Sequence, residues 1–498
     1  MQLLILALFL VLYLHDELSS VLPGISDAPG WVVLLLWVVG LKVLLAGGYL
    51  AACRAALRGI RTPKAAKHLR RIERIGGVYR VGVLVLFAVD LYLGLLVQVR
   101  GWIETTTGMT HPVLVDEFLV MLPTLGMWGV GWCVYYPIER RLREAALLRN
   151  LDQGLPIYPV WSRWQYLLSQ YRYQVALILL PLLGIIAWTE TVGIMVDRQW
   201  AWVTAESEPV WTVAGCLTIF LYAPVIIRLA WDTVPLPEGD LRDHLMSMCR
   251  THGVRIRELL LWRTYGGMIN AAVMGLIGPL RFILITDGLL QRMPMHHLEA
   301  VMAHELAHVR KRHMIWLLVS ALSLMSVVEI TAIVFLASIG IGVDEIDRAL
   351  TVSSDSSGVA VAGSWFGDLN QTHLVLLGTL AGAAAAWAIG FGWVSRRIER
   401  QADTFAVVHL ARERDDDTIQ AVDTQTMIDA LQDVAELNHI RTEKHSWRHG
   451  SIKWRQDYLK GLAGQPVVRL TIDRQMRWMA ILSLVVVAGS VLLHILAD

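Results

Sequence analysis

Runs of about 20 mostly apolar residues, enough to cross a bilayer as a helix, recur eight times in this chain: 31–53, 77–98, 113–136, 175–196, 209–230, 314–342, 372–394 and 476–496. Hydrocarbon admits only segments whose backbone polar groups are satisfied internally, so these runs dictate a bundle of spanning helices. Composition agrees. Hydrophobic residues make up 55% of the chain, above the roughly 45–50% of soluble domains. The stretch 2–14 is apolar but short, and it reads as a first span. It lacks a basic leader and a small-residue cleavage site, which argues against a cleaved signal peptide. The expected total is eight or nine crossings.

The segments between the runs alternate in charge. Residues 54–80 and 137–174 are rich in Arg and Lys, whereas 15–30, 197–208 and 343–371 lean acidic. Positive-inside bias puts the two basic segments in the cytoplasm. Counting spans onward puts 231–313 and 395–475 on the same side. The net charge of +1 gives no argument for nucleic acid, and a basic stretch beside two spans suits anionic lipid. Cys53, Cys133, Cys216 and Cys249 have no metal-ligand spacing and indicate no disulfide framework. Lys42, Asp90, Glu190, Arg228 and Glu329 fall inside apolar runs. Charge at that depth is costly; Lys42 and Arg228 can snorkel, and Glu190 and Glu329 are candidates for lining a polar chamber.

His304-Glu305-Leu306-Ala307-His308 reads H-E-x-x-H. On a helix, positions four apart share a face, so His304 and His308 can aim two imidazoles at one zinc ion. Glu305 then stands beside the metal's open position, as a general base for a bound water. Residues 296–312 read as an amphipathic helix, with Pro294 near its start and Arg310-Lys311-Arg312 at its end. A third ligand is needed. Lys311 and Met314 occupy the places where a metzincin has glycine and histidine. Glu399, in Ser395-Arg396-Arg397-Ile398-Glu399, is the candidate, and Asp403, one turn later, can bond the outer nitrogen of a ligating histidine. With Glu399 filling the coordination, His313 reads as an interfacial histidine. Asp415-Asp416-Asp417 reads as a solvated turn before a helix, without EF-hand spacing.

H-E-L-A-H followed by S-R-R-I-E-R-Q-A-D resembles the membrane zinc metallopeptidases that include HtpX and the CAAX prenyl proteases. Residues 256–290, with Asn270-Ala271 and Thr286-Asp287, resemble that family's β-rich segment before the catalytic helix. His449-Gly450-Ser451-Ile452-Lys453-Trp454-Arg455 resembles its H-P-x-x-x-x-R motif, with Gly450 in place of the proline. The resemblance covers roughly residues 235–460. It implies an α-helical multi-span membrane protein with a cytoplasmic α+β, gluzincin-like metallopeptidase domain built from two separated segments. The expected parts are a membrane domain over 1–230, catalytic segments over 231–313 and 395–475, a transmembrane hairpin over 314–394 and a last span over 476–498. His449 is a candidate donor to the oxyanion. Arg455 is expected to orient it or to bind the substrate carbonyl, and Asn270 to orient substrate. His449 and Arg455 read equally well as surface residues. Arg281 to Thr286 reads as a strand that offers its edge to an extended substrate. Trp447 and Trp454 read as lipid-interface residues.

The expected function is zinc-dependent hydrolysis of peptide bonds in membrane or membrane-associated proteins, as quality control at a bacterial inner membrane. Processing of prenylated proteins is the alternative within the same resemblance. A site-2-type intramembrane protease is disfavoured by the charges flanking the motif and by the missing Asn-Pro-Asp-Gly partner. An antibiotic-sensor protease is disfavoured because the largest outer loop, 343–371, is too small for a ligand domain. A scaffold with a vestigial zinc site is disfavoured because Glu305 is retained.

Overall fold

The computed structural model describes residues 31–59, 65–92, 95–108, 113–152, 154, 157–266, 268–340, 371–438, 440–468 and 470–497. The expected short span at 2–14 and nearly all of the loop 343–371 lie outside them. Among the described residues, six helices are long and apolar enough to cross a membrane: Val39–Gly59, Val115–Asp152, Arg163–Asp197, Glu208–Ala230, His313–Ser338 and Thr471–Leu493. The chain is that of an integral membrane protein. The other two expected runs, 77–98 and 372–394, fall largely within helices α2 and α12 below.

The described residues divide into two compact units, one up to Trp231 and one from Asp232 onward. The first is helical: α1 (Trp31–Gly59), α2 (Ala65–Tyr92), α3 (Leu95–Thr107), α4 (Val115–Asp152), α5 (Arg163–Gln170), a π-helical turn at Tyr171–Val175, α6 (Ala176–Asp197) and α7 (Glu208–Ala230). Its basic stretches are mostly helix, not loop. Arg54 and Arg58 end α1, residues from Lys67 to Arg80 lie in α2, and Arg140, Arg141, Arg143 and Arg149 continue α4. There Arg140 bonds Glu144 and Arg143 bonds Glu139, each at 2.8 Å and four residues apart. Lys42 does not snorkel: it is buried and ion-paired with Asp90, which is also buried. A charge enclosed in apolar surroundings needs such a partner. Glu190 accepts a hydrogen bond from the Leu114 amide at 2.9 Å.

The second unit contains β1 (Thr233–Pro235), α8 (Asp240–Thr251), β2 (Glu258–Trp262), β3 (Ala271–Met274), β4 (Phe282–Thr286), α9 (Asp287–Arg292), α10 (Met295–Arg310), α11 (His313–Ser338), α12 (Gln371–Glu413), α13 (Ala421–Leu437), α14 (Ile452–Lys460) and α15 (Thr471–Ala497). The sheet order is β1-β2-β4-β3, with β2 and β4 parallel and the other pairs antiparallel. This corrects one expectation. The strand near Arg281 exists, but β4 is central and buried at every position, as its unbroken Phe-Ile-Leu-Ile run suits. The edges belong to β1 and β3. Glu329 is exposed on α11.

α10 packs against α12. Ala300, Ala303 and Ala307 of α10 and Ala402 and Ala406 of α12 are wholly buried. Interaxial distance depends on the side chains at the contact, and alanines on both helices allow a close approach. α12 runs unbroken over 43 residues, so one rod carries both the apolar run and the polar residues beyond it.

Candidate metal centre

Pro294 caps α10, and its carbonyl takes the amide of Leu298 at 3.0 Å. Two turns on, His304 and His308 present their Nε2 atoms to each other at 3.3 Å. Two nitrogens bound tetrahedrally to one zinc at 2.0–2.1 Å lie about 3.3–3.4 Å apart. Glu399 on α12 completes the group: its Oε2 is 3.8 Å from His304 Nε2, and donor atoms of all three residues lie within 4.8 Å of one another. Two imidazoles and a carboxylate are the donor set of a catalytic zinc with one open position, so these residues fit that ion.

The surroundings hold the donors in place. Asp403, one turn beyond Glu399, is fully buried, with Oδ1 at 2.9 Å from His304 Nδ1. Arg455, in the first turn of α14, clamps Asp403 with two guanidinium nitrogens, Nε at 2.7 Å from Oδ2. Its Nη1 lies 3.3 Å from Glu399 Oε2. Arg455 is thus buried and paired with Asp403 and Glu399. Burial opposes charge on Asp403, but Arg455 and His304 outweigh it and hold the carboxyl below its usual range. Burial likewise opposes charge on Glu399, yet His449, Arg455 and His304 bring it well below. Burial drives His308 well down, the neutral state a metal requires. His304 is pushed down by burial, but Asp403 prevails and the net direction is up. Metal binding would then displace a proton.

Glu305 follows His304 and is only half-buried. Burial, with Glu399 nearby, pushes its carboxyl up to about 7 against the opposing pull of His304 and the Val273 amide on β3. The edge strand thus reaches the site through Val273. His449 is half-exposed, with Nδ1 at 2.9 Å from Glu399 Oε1. A neutral ring giving that proton to Glu399 leaves Nε2 as an acceptor, so only the doubly protonated ring can donate elsewhere. Gly450 has φ +74°, a conformation closed to proline, and its amide bonds the Ser446 carbonyl at 2.9 Å. The glycine in place of proline therefore has a backbone reason. Asn270 is exposed; its backbone pairs with Thr286, amide to Oγ1 and carbonyl from amide, each at 3.0 Å. It sits at the junction of β3 and β4, not among the donor atoms.

One reading of a single residue changes. His313 is not interfacial: it is 2% exposed, and its Nδ1 lies 3.0 Å from His308 Nδ1. A positive φ at Arg312 makes this contact, and the sequence gives no sign of it. Trp454 lies under the Arg400 guanidinium at 3.7 Å, and Trp447 donates to the Ala388 carbonyl at 2.8 Å; both pack on α12. Asp416 accepts from the amide and hydroxyl of Thr418, as a turn residue does. Another His-carboxylate group joins the same helix pair: His409 Nε2 faces Glu299 Oε1 at 3.3 Å, and its Nδ1 faces His252 Nε2 at 3.1 Å. Both ring nitrogens of His409 are thus engaged within the fold.

Residues 238–447 match the model of Peptidase family M48. The match takes in both histidines, Glu305, Glu399 and Asp403, and ends two residues before His449. The resemblance drawn from the motifs is borne out. The chain is 28% identical over 197 residues to a Protease HtpX homolog of Chlorobium phaeobacteroides, covering 40% of this chain and 58% of the relative. It is 32% identical over 170 residues to a Protease HtpX homolog of Herminiimonas arsenicoxydans, covering 34% and 52%. It thus spans about half the length of the curated relatives it matches. The crystal structure of S. mikatae Ste24p aligns over 92% of this chain and 98% of its own, at 14% identity and a TM-score of 0.40; that distance is too great to inform the site.

Proposed function

We propose that this protein is a membrane-bound zinc metalloendopeptidase that hydrolyses peptide bonds of membrane or membrane-associated proteins. The observation that carries this reading is the meeting of His304, His308 and Glu399 donor atoms within 4.8 Å, with Glu305 next in sequence to the first. His304, His308 and Glu399 would hold the zinc ion, which would supply a Lewis acid to lower the pKa of a bound water toward ~7 and to polarise the scissile carbonyl. Glu305 takes the proton of the attacking water and passes it to the leaving amine. Its carboxyl, pushed up to about 7 by burial, suits a group that must both accept and return a proton near neutrality. His449, when it carries both ring protons, donates to the developing oxyanion while remaining bonded to Glu399. Arg455 and Asp403 keep Glu399 and His304 aimed. The substrate lies extended along the free edge of β3, bound through its main chain, and Asn270 helps to orient it at the β3–β4 junction.

The name carried by the curated relatives, protease, supports the same reaction class for this chain. The Lys and Arg pattern supports a cytoplasmic catalytic face, the apolar runs support eight or nine crossings, and the likeness to the HtpX homologs supports a bacterial inner membrane. Quality control of membrane proteins is the role we favour, because main-chain recognition tolerates many side chains.

The test uses the full chain purified in detergent, with casein as substrate. Cleavage should require zinc. Glu305→Gln should keep wild-type zinc content and lose roughly 10²–10⁴-fold in rate, the usual contribution of a general base. Cleavage by Glu305→Gln at the wild-type rate would overturn the mechanism.

A further inference from the structure

We infer that His313, Gln401 and Asp473 form a one-way hydrogen-bond relay that fixes the tautomer of His308 and so sets its strength as a zinc ligand. The inference rests on the metal site proposed above. His308 Nδ1 lies 3.0 Å from His313 Nδ1. His313 Nε2 lies 3.0 Å from Gln401 Oε1. Gln401 Nε2 lies 2.6 Å from Asp473 Oδ1, which Lys311 Nζ also approaches at 2.9 Å. His313 and Gln401 are buried.

The proton positions follow from the far end. An ionised carboxylate only accepts, so Asp473 must receive the amide protons of Gln401. The oxygen of Gln401 is then turned to His313 and must accept from Nε2–H. A neutral His313 with its proton on Nε2 has a lone pair on Nδ1. His308 must therefore donate from Nδ1, which leaves its Nε2 lone pair directed at His304 Nε2 and the open metal position. Each arrow points from ring to carboxylate, in the sense a ligating histidine needs. His304 reaches its carboxylate, Asp403, directly. His308 reaches its own through two intervening side chains.

The backbone makes room for this. In a continuous helix, residue 313 would sit about 140° around the axis from residue 308. Arg312 instead adopts φ 55° and ψ 38°, between the end of α10 and the start of α11. That left-handed region is sterically disfavoured for a residue with a Cβ, and the break folds His313 back onto His308. Asp473 lies in the first turn of α15, and Gln401 lies on α12 between Glu399 and Asp403. His313, Gln401 and Asp473 are thus positioning residues that link a zinc ligand to the first turns of two membrane helices.

The test measures zinc affinity of the full chain in detergent by chelator competition, with the visible spectrum of the cobalt-substituted protein as a second readout. His313→Leu and Gln401→Leu should each weaken zinc about 10–100-fold, the usual effect of losing a ligand's outer partner, and should alter the cobalt spectrum. The exchanged pair Gln401→Glu with Asp473→Asn is made in a Lys311→Met background, because Lys311 Nζ bonds the same Asp473 oxygen as Gln401 and would otherwise face the new amide nitrogen; it then keeps every donor of the relay facing an acceptor, and should bind within about threefold of the Lys311→Met protein on the same scale. Wild-type affinity in both leucine variants, or loss in the exchanged pair as large as in them, overturns the relay. Glu399→Ala separates the two ideas: if it binds zinc as wild type does, the metal site itself is misassigned. If it loses zinc while His313→Leu does not, the site stands and the relay falls.

Discussion

Arg455 shows how much one side chain can organise. It is buried, pairs in bidentate fashion with Asp403 and lies beside Glu399, so one guanidinium meets two enclosed carboxylates. Removing one partner of a buried pair leaves an uncompensated charge, at a typical cost of about 3–5 kcal/mol. Arg455→Ala should therefore lower the melting temperature markedly and weaken zinc binding, and Arg455→Lys should recover little, because lysine lacks the planar fork. Thermal unfolding and metal content of the two variants test this together. A change in cleavage rate with unchanged stability and metal content would instead return Arg455 to a substrate-binding role.

At the level of elements, the site depends on how closely α10 and α12 approach. Glu399 comes from one helix and the two imidazoles from the other, and wholly buried alanines on both helices allow a close approach. Ala303 precedes His304. Ala303→Leu should overpack this seam, at about 1–3 kcal/mol. It should also separate Glu399 from the imidazoles, so that zinc content falls more steeply than stability. Zinc content and melting temperature of Ala303→Leu, measured side by side, check that order. The same close packing explains why β3 matters. Its Val273 amide acts on Glu305, so the sheet edge and the base are parts of one assembly.

For the whole molecule, a ligand that binds only the folded state stabilises it in proportion to the logarithm of its concentration. Zinc at 100 times its dissociation constant should add about 2.7 kcal/mol. Chelation should accordingly lower the melting temperature and abolish cleavage, and added zinc should restore both. The protein in detergent, scanned with and without chelator, checks this. The sequence by itself determined what depends on local spacing and on solvent. Apolar runs of bilayer length gave the spanning helices, because hydrocarbon rejects unpaired backbone. Four-residue spacing gave the facing imidazoles and the Glu399–Asp403 face, because a helix repeats every 3.6 residues. The ends of the basic stretches were not legible, since helix continues past the membrane where Arg–Glu pairs support it. Tertiary structure alone decided which strands lie at the sheet edges, which carboxylates Arg455 clamps, and that His313 turns inward through one left-handed residue. Those outcomes depend on distances between residues far apart in the chain, or on a single backbone torsion, and neither leaves a periodic trace in the order of amino acids.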